Sequence, residues 1–371
     1  MEVTHIKKHV AIFMRELAGG GAERIMVNLA LGLADDGVKL DLVLAHRRGP
    51  YLSDVPANVN LVDLRANRWR RAVLLLAQYL RRERPTALLS AMPHTNVAAI
   101  TAVKLARTRT RVGILEVNRI TEADAYNSGS SNRLLRQLAR LMYPHADRVF
   151  SLSKGVADDV SLHYRIPCEQ VHVVYSPVTS PSLLKLSAEP IDCPWLNDSA
   201  LPVLLTVGRL VPQKDHATLL RAFARVRERR SVRLIILGEG ELRCELEDLA
   251  KSMGLFEDIA MPGFVSNPFA YMAGTNCFVL SSRWEGFGNV LVEAMACGAP
   301  VVSTDCPSGP SEILKEGKFG PLVPVGDDEG LAEAIEQVLE SPPSSAALRE
   351  RAAAFSIHHI AKEYRRLLLD E

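Results

Sequence analysis

At 371 residues, 47% hydrophobic and 23% charged, the chain can bury full cores, carries no compositional mark of disorder, and exceeds the length one core usually organises. Net charge is +1, but residues 1–180 hold 25 Lys and Arg against 16 Asp and Glu while the remainder is net −8; such a split suits phosphate-bearing ligands or an anionic membrane surface, with solvated surface charge as the plain alternative. The six cysteines form no C-x-x-C pair, which excludes a zinc ribbon or a disulfide framework and suits a reducing cytosol, and no run approaches the roughly 20 apolar residues of a membrane span.

In chain order, residues 10–14 read as a buried strand, too short for a signal-peptide core. Gly19-Gly20-Gly21 follows as a loop, and residues 22–36 as a helix with Ile25, Leu29 and Leu33 inward, closed by Gly37 where a left-handed cap is cheapest. Strands at 40–44, 87–90, 112–115 and 148–152, with helical segments between most of them, complete one doubly wound domain over residues 1–180. Within it, residues 65–84 carry seven arginines and one acid, with Trp69, Val73, Leu76 and Leu80 as an apolar helical stripe. That stripe either packs on the core or docks on an anionic membrane. Five prolines within residues 176–202 read as a linker.

The pattern then restarts over residues 181–354, with a strand at 203–207, a loop at 208–216 and a helix at 217–229 whose inner face is Leu219, Phe223 and Val226. Strands at 232–237, 277–280 and 300–303 extend this second sheet. Two such halves predict an α/β protein of two Rossmann-like domains facing across a cleft, with ligands at the carboxyl ends of the strands.

Three loops carry candidate chemistry. The strongest runs from Ser281 through Glu285, Gly286, Phe287, Gly288 and Asn289 to Pro300, reading as strand, glycine loop, helix, Gly298 cap and a following proline. Its glycines let backbone approach a ligand, and the helix start that follows favours phosphate, so a diphosphate belongs there. Glu293, one turn inside the helix, can accept from a ribose diol, and Glu285 lies nearer to whatever the diphosphate carries. Read alone, Glu293 also complements a helix dipole and Glu285 also suits a solvated loop. The second loop sets Arg209 and Lys214 directly after a buried strand, able to neutralise a leaving diphosphate, although Lys214 could equally form a surface pair with Asp215. The third, Gly20 and Gly21 with their neighbour Gly19, permits backbone approach to a phosphate or sugar and is equally a tight turn. No D-x-D-like pair ends a strand, so no metal or other cofactor is expected.

Together these loops, with Leu237-Gly238-Glu239-Gly240, Gly263-Phe264-Val265, Val301-Val302-Ser303-Thr304-Asp305, Gly309-Pro310-Ser311-Glu312 and Gly320-Pro321-Leu322-Val323-Pro324, resemble the retaining glycosyltransferases of family four, the group 1 glycosyltransferases with the GT-B fold. The resemblance covers most of the chain. It implies that the first domain handles the acceptor and the second binds a nucleotide sugar, a UDP-sugar by family habit. Arg209 and Lys214 would bind the diphosphate, Glu293 the ribose, and the backbone of Gly288, Asn289, Val290 and Leu291 the phosphates and sugar edge. Gly263, Phe264 and Val265 would read the base. Glu285 resembles the acid that orients the transferred sugar and stabilises its positive transition state. The last helix, about residues 355–371, would pack back on the first domain. The implied acceptor is a polyprenyl-diphosphate-linked glycan in surface polysaccharide assembly. The implied location is cytoplasmic and peripheral to the membrane, with no nucleic-acid partner.

The chain departs from the family where many relatives carry a histidine after the strand near residue 115, because here the stretch reads Leu115-Glu116-Val117-Asn118-Arg119. Glu116, Asn118, His94 and Asn96 are the acceptor-side candidates in its place. Two rival readings stand beside transfer: a nucleotide-sugar epimerase of the same fold, and a binding partner without turnover.

Overall fold

The computed structural model describes residues 8–122, 130–197 and 200–370. The chain divides into two compact units, one formed by Met1–Pro177 with Ile357–Glu371 and the other by Val178–Ser356.

The first unit is built on seven parallel strands, β1 (His9–Met14), β2 (Lys39–Leu44), β3 (Asn60–Asp63), β4 (Ala87–Ala91), β5 (Arg111–Glu116), β6 (Arg148–Ser151) and β7 (Val171–Val173). Their order is β3-β2-β1-β4-β5-β6-β7. All six residues of β1 are buried, because helices cover both faces of the sheet, and such strands read as unbroken apolar runs rather than alternating ones. One face packs on the helices Trp69–Glu83 and Pro93–Ala106 through Phe13, Val43, Leu76, Leu80, Leu88, Ile100 and Ile114. Ile25, Leu29 and Leu33 are buried from the helix Gly21–Asp35 as their spacing predicts.

The closing helix, Ile357–Leu369, belongs to this unit. Gly32 sits so close to it that an added Cβ would lie 2.5 Å from the Ala361 Cβ, and the Tyr364 ring lies 4.8 Å from that of Phe150. Only a residue without a side chain lets the two helices approach this closely.

The second unit has six parallel strands, β8 (Val203–Val207), β9 (Arg233–Leu237), β10 (Ile259–Gly263), β11 (Cys277–Leu280), β12 (Val301–Thr304) and β13 (Leu322–Val323), in the order β10-β9-β8-β11-β12-β13. Leu219, Phe223 and Val226 of the helix His216–Arg229 are fully buried in its core. Strands β3, β7, β10 and β13 lie at sheet edges and have no counterpart among the sequence-predicted strands. They are short, and edge strands need no continuous apolar run.

One expectation needs correcting, and one open alternative is decided. Residues 176–202 are more than a linker: Pro181–Ser187 and Pro194–Asn197 are helical, with Pro181 at a first helical position behind a Ser180 cap that accepts from the Leu183 amide, and Leu183 is buried. Proline there starts a helix instead of breaking one. The apolar stripe of residues 65–84 faces the core, where Val73, Leu76 and Leu80 are buried, so that stripe offers a membrane only Trp69. Among the described residues no helix is long and apolar enough to cross a membrane.

Candidate functional site

In the second unit the strand order turns between β8 and β11, which pair directly, so the loops leaving their carboxyl ends lie side by side at a topological switch point. These loops hold Arg209 with Lys214 and Glu285 with Gly286. They are laced together: the Arg283 amide donates to the Gln213 carbonyl at 2.8 Å, the Gln213 side chain donates to the Trp284 carbonyl at 2.9 Å, and the Ser281 hydroxyl donates to the Lys214 carbonyl at 2.8 Å. The consequence is a fixed relation between the two charged side chains. Lys214 Nζ donates to Glu285 Oε1 at 2.5 Å, and the Ser282 hydroxyl donates to the same oxygen at 2.7 Å.

Glu285 is therefore not a solvated loop acid, being 7% exposed, and Lys214 does not pair with its neighbour Asp215. Asp215 has φ 45° and takes the Arg283 guanidinium at 3.1 Å instead. Arg209 is exposed and lacks an ion-pair partner among the described residues. Its carbonyl faces His216 Nε2 at 3.3 Å. Burial pushes the His216 imidazole down to about 4, so near neutral pH it is uncharged and its Nε2–H can donate to that carbonyl.

The helix Asn289–Cys297 starts from Gly288 at φ 97° with no side-chain cap; the Leu291 amide donates to the Gly288 carbonyl at 2.9 Å, which leaves the amides of Asn289 and Val290 for another acceptor. The loop below it needs glycine for close approach, since a Cβ on Gly309 would fall 1.8 Å from the Phe287 carbonyl oxygen. Phe287 and Leu291 bury their side chains, Phe287 edge-on to Phe355, so both can offer a ligand only backbone. Asn289, Val290 and Glu293 are half-buried on the same helix. Across the sheet, the Gly238 amide donates to the Gly263 carbonyl at 2.9 Å, with Gly263 at φ 86°, Phe264 81% exposed and Val265 half-buried beside it. Among the described residues no group of three or more His, Cys, Asp or Glu side chains could hold a metal ion.

In the first unit the equivalent switch point lies between β1 and β4. A cavity of about 310 Å³ opens there, lined by Phe13, Arg15, His46, Arg68, Trp69 and His94 among others. Gly20 caps the helix Gly21–Asp35 without a side-chain hydrogen bond, and Tyr51 braces the loop by donating to the Gly19 carbonyl at 3.0 Å. The four acceptor-side candidates separate. His94 is half-buried on the cavity, and burial together with nearby Arg15 holds its imidazole below the ordinary value. Asn118 is exposed. Asn96 and Glu116 face inward instead: Asn96 Nδ2 donates to Glu116 Oε1 at 3.2 Å, the Tyr143 hydroxyl donates to the same oxygen, and the Ser90 hydroxyl donates to Asn96 Oδ1 at 2.8 Å. Both are buried, so neither presents its side chain to an acceptor. Burial pushes the Glu116 carboxyl up to about 7, only partly offset by those donors.

The Ser282 bond to Glu285, the His216 bond to the Arg209 carbonyl and the Arg283–Asp215 clamp escaped sequence reasoning. Ser282 and Arg283 lie inside the loop singled out, and His216 follows Lys214 and Asp215, but spacing along the chain does not say which side chain turns inward.

The model of the group 1 glycosyl transferases matches residues 192–355, and that of glycosyltransferase family 4 matches residues 19–180. The Campylobacter jejuni N-acetylgalactosamine-N,N'-diacetylbacillosaminyl-diphospho-undecaprenol 4-alpha-N-acetylgalactosaminyltransferase is 30% identical over 97% of this chain and 99% of its own. The chain belongs to the group 1 glycosyltransferases. The lipopolysaccharide core biosynthesis glycosyltransferase LpsE of Rhizobium meliloti is 28% identical to it over 93% of both chains. Among solved structures, Anabaena Alr3699/HepE in complex with UDP superposes with a TM-score of 0.76 at 21% identity, over 98% of this glycosyltransferase and the whole of that chain. The fold is thus the two-domain GT-B architecture, and the enzyme is a glycosyltransferase.

Proposed function

We propose that this glycosyltransferase moves a sugar from a UDP donor, with retention of anomeric configuration, to a glycan carried on a polyprenyl diphosphate. The observation that carries the catalytic part is the ion pair of half-buried Lys214 with buried Glu285 at the β8/β11 switch point, with exposed Arg209 on the same loop as Lys214 and the uncapped start of the Asn289–Cys297 helix four residues beyond Glu285. Arg209, Lys214 and the helix amides meet the charge growing on the departing diphosphate, Glu293 takes the ribose, and Glu285 meets the positive charge developing on the sugar. The bond from acceptor oxygen to anomeric carbon forms as the bond to the diphosphate breaks, and the acceptor's proton passes to the leaving phosphate oxygen. The cations at the loop supply the positive charge, and turnover needs no metal. A lipid-linked acceptor is supported by the name of the Campylobacter relative and by the basic first half of the chain.

The assay incubates the full chain with a panel of UDP-sugars, with and without lipid-linked glycan, in chelator, and reads product mass and anomeric configuration. A glycan heavier by one sugar, with the donor's configuration, is the expected product. Conversion of donor without acceptor would make it an epimerase, and rescue by manganese or magnesium would end the metal-free reading.

Peripheral membrane contact falls to the helix Ser130–Met142, not to residues 65–84. Leu134, Leu138 and Leu141 are exposed at spacings of four and three, flanked by exposed Arg133 and Arg140. Flotation with anionic vesicles should fall when the three leucines become serine and should weaken with salt; equal binding to neutral vesicles would refute it.

A further inference from the structure

The cavity at the β1/β4 switch point gathers positive potential from four directions. Arg15 leaves β1, and Arg68 precedes the helix Trp69–Glu83; both are exposed, and neither has a carboxylate at ion-pair distance among the described residues. Several other arginines of the unit do, such as Arg24 with Asp54, Arg119 with Glu122 and Arg365 with Asp36. The nearby acid, Glu16, is already taken by Arg48. Two helices of 15 and 14 residues also begin at this cavity, at Trp69 and Pro93, and their cap residues, Arg68 and Met92, make no side-chain cap. Met92 holds φ 78°, a strained value for a non-glycine residue, at the start of the second. Each helix start carries partial positive charge and unsatisfied amides. The floor is apolar, from Phe13, Ala45 and Ala98, and Trp69 stands 46% exposed at the rim.

We infer that this cavity holds the diphosphate of the acceptor, with Arg15 and Arg68 gripping its oxygens and Trp69 supporting the first isoprenoid unit. The inference rests on the lipid-linked reading of the acceptor and assigns that reading to named atoms. Arginine suits the task because its planar fork meets phosphate oxygens bidentately. His94 lines the same cavity and offers it a ring N–H donor. The glycan itself would extend from the diphosphate away from the apolar floor.

The test uses the full chain and two probes, inorganic pyrophosphate and farnesyl diphosphate, titrated by calorimetry with UDP in excess to fill the donor side. Both should bind, farnesyl diphosphate more tightly, and the Arg15→Gln/Arg68→Gln double variant should weaken both by at least about tenfold. Lys214→Gln should leave this binding unchanged, and Trp69→Ala should remove only the preference for the farnesyl probe. Turnover separates the two readings. If the enzyme proves to use glycans free of lipid, the acceptor reading fails while pyrophosphate binding still depends on Arg15 and Arg68. If lipid-linked glycan is turned over with the same KM by the double variant, or if that variant binds both probes like the wild type, the cavity assignment is overturned. Loss of binding through Lys214→Gln in place of the arginine variant would likewise move the anion to the other unit.

Discussion

Glu116 ends β5 in the first unit, and Glu285 follows β11 in the second. Both belong to strand ends of parallel sheets and both are nearly sealed from solvent, at 2% and 7% exposure. Glu116 meets only neutral donors, Tyr143 and Asn96, with no cation at ion-pair distance among the described residues, and burial lifts its carboxyl to about 7. Glu285 has the Lys214 ammonium at 2.5 Å and a serine hydroxyl on the same oxygen. Burial of an acid therefore does not by itself mark a reactive site. A buried carboxyl among neutral donors ties elements of a core together, whereas one that comes with its own cation, on two loops laced to each other, holds opposite charges where a departing anion and an emerging cation would separate.

The comparison breaks most visibly at Lys214. Removing one member of a buried ion pair strands the other, at a cost of about 3–5 kcal/mol. Lys214→Met should therefore lower stability in denaturant titration by that order, while Lys214→Met/Glu285→Leu recovers much of it; an unaffected single variant would show the pair to be energetically idle. Next comes Glu285→Gln, which keeps shape and loses charge. It should bind donor in calorimetry yet lose about 10²–10³ in single-turnover rate, and a near-wild-type rate would remove Glu285 from catalysis.

Glu116→Leu should cost about 1–3 kcal/mol, since Tyr143 and Asn96 lose their shared acceptor, and Glu116→Gln should restore most of it with activity intact. The smallest effects are those of pH. The Glu116 carboxyl is raised from 4.5 to about 7, so its stabilising contribution is complete below 4.5 and is lost as pH rises through 7. His216 is lowered from 6.5 to about 4, so its contribution is present above 6.5 and is lost as pH falls through 4. Each slope reaches at most about 1.4 kcal/mol per pH unit. The two windows overlap between 4.5 and 6.5 with opposite slopes, so Glu116→Gln should leave stability rising with pH up to 6.5 and His216→Gln should leave it falling with pH up to about 7; a fall that survives Glu116→Gln would assign it to another group.

The frame of the molecule was legible because parallel strands covered on both faces are unbroken apolar runs, as in residues 10–14 and 203–207, and because glycines at 37, 288 and 298 sit at positive φ where helices begin or end. Edge strands β3 and β13 were not legible, being short and only half-covered. Arg209, Lys214 and Glu285 could be picked out by residue type and loop position, but their company could not. Nothing in the spacing says that Lys214 skips Asp215 to reach across to Glu285, or that Glu116 turns inward while Asn118, two residues on, stays outside. The Ser130–Met142 helix shows the same limit from the other side. Its leucines divide, with Leu135 beside buried Ala139 packed on the core and Leu134, Leu138 and Leu141 exposed, and the spacing does not say which row turns inward.

One feature of the chain path bears on engineering. The amides of Val178 and Thr179 both donate to the Phe355 carbonyl, and Thr179 bridges Ser356 in parallel, so the outgoing and returning segments meet where the second unit begins and ends. Topologically, Val178–Ser356 is an insertion in a host whose last helix is supplied after it. A swap of this inserted unit therefore needs two neighbouring splice points, after Pro177 and before Ile357, and a host expressed without Ile357–Leu369 would be left with the groove beside Gly32 open. Chimeras cut at these points should inherit sugar choice from the inserted module and acceptor choice from the host.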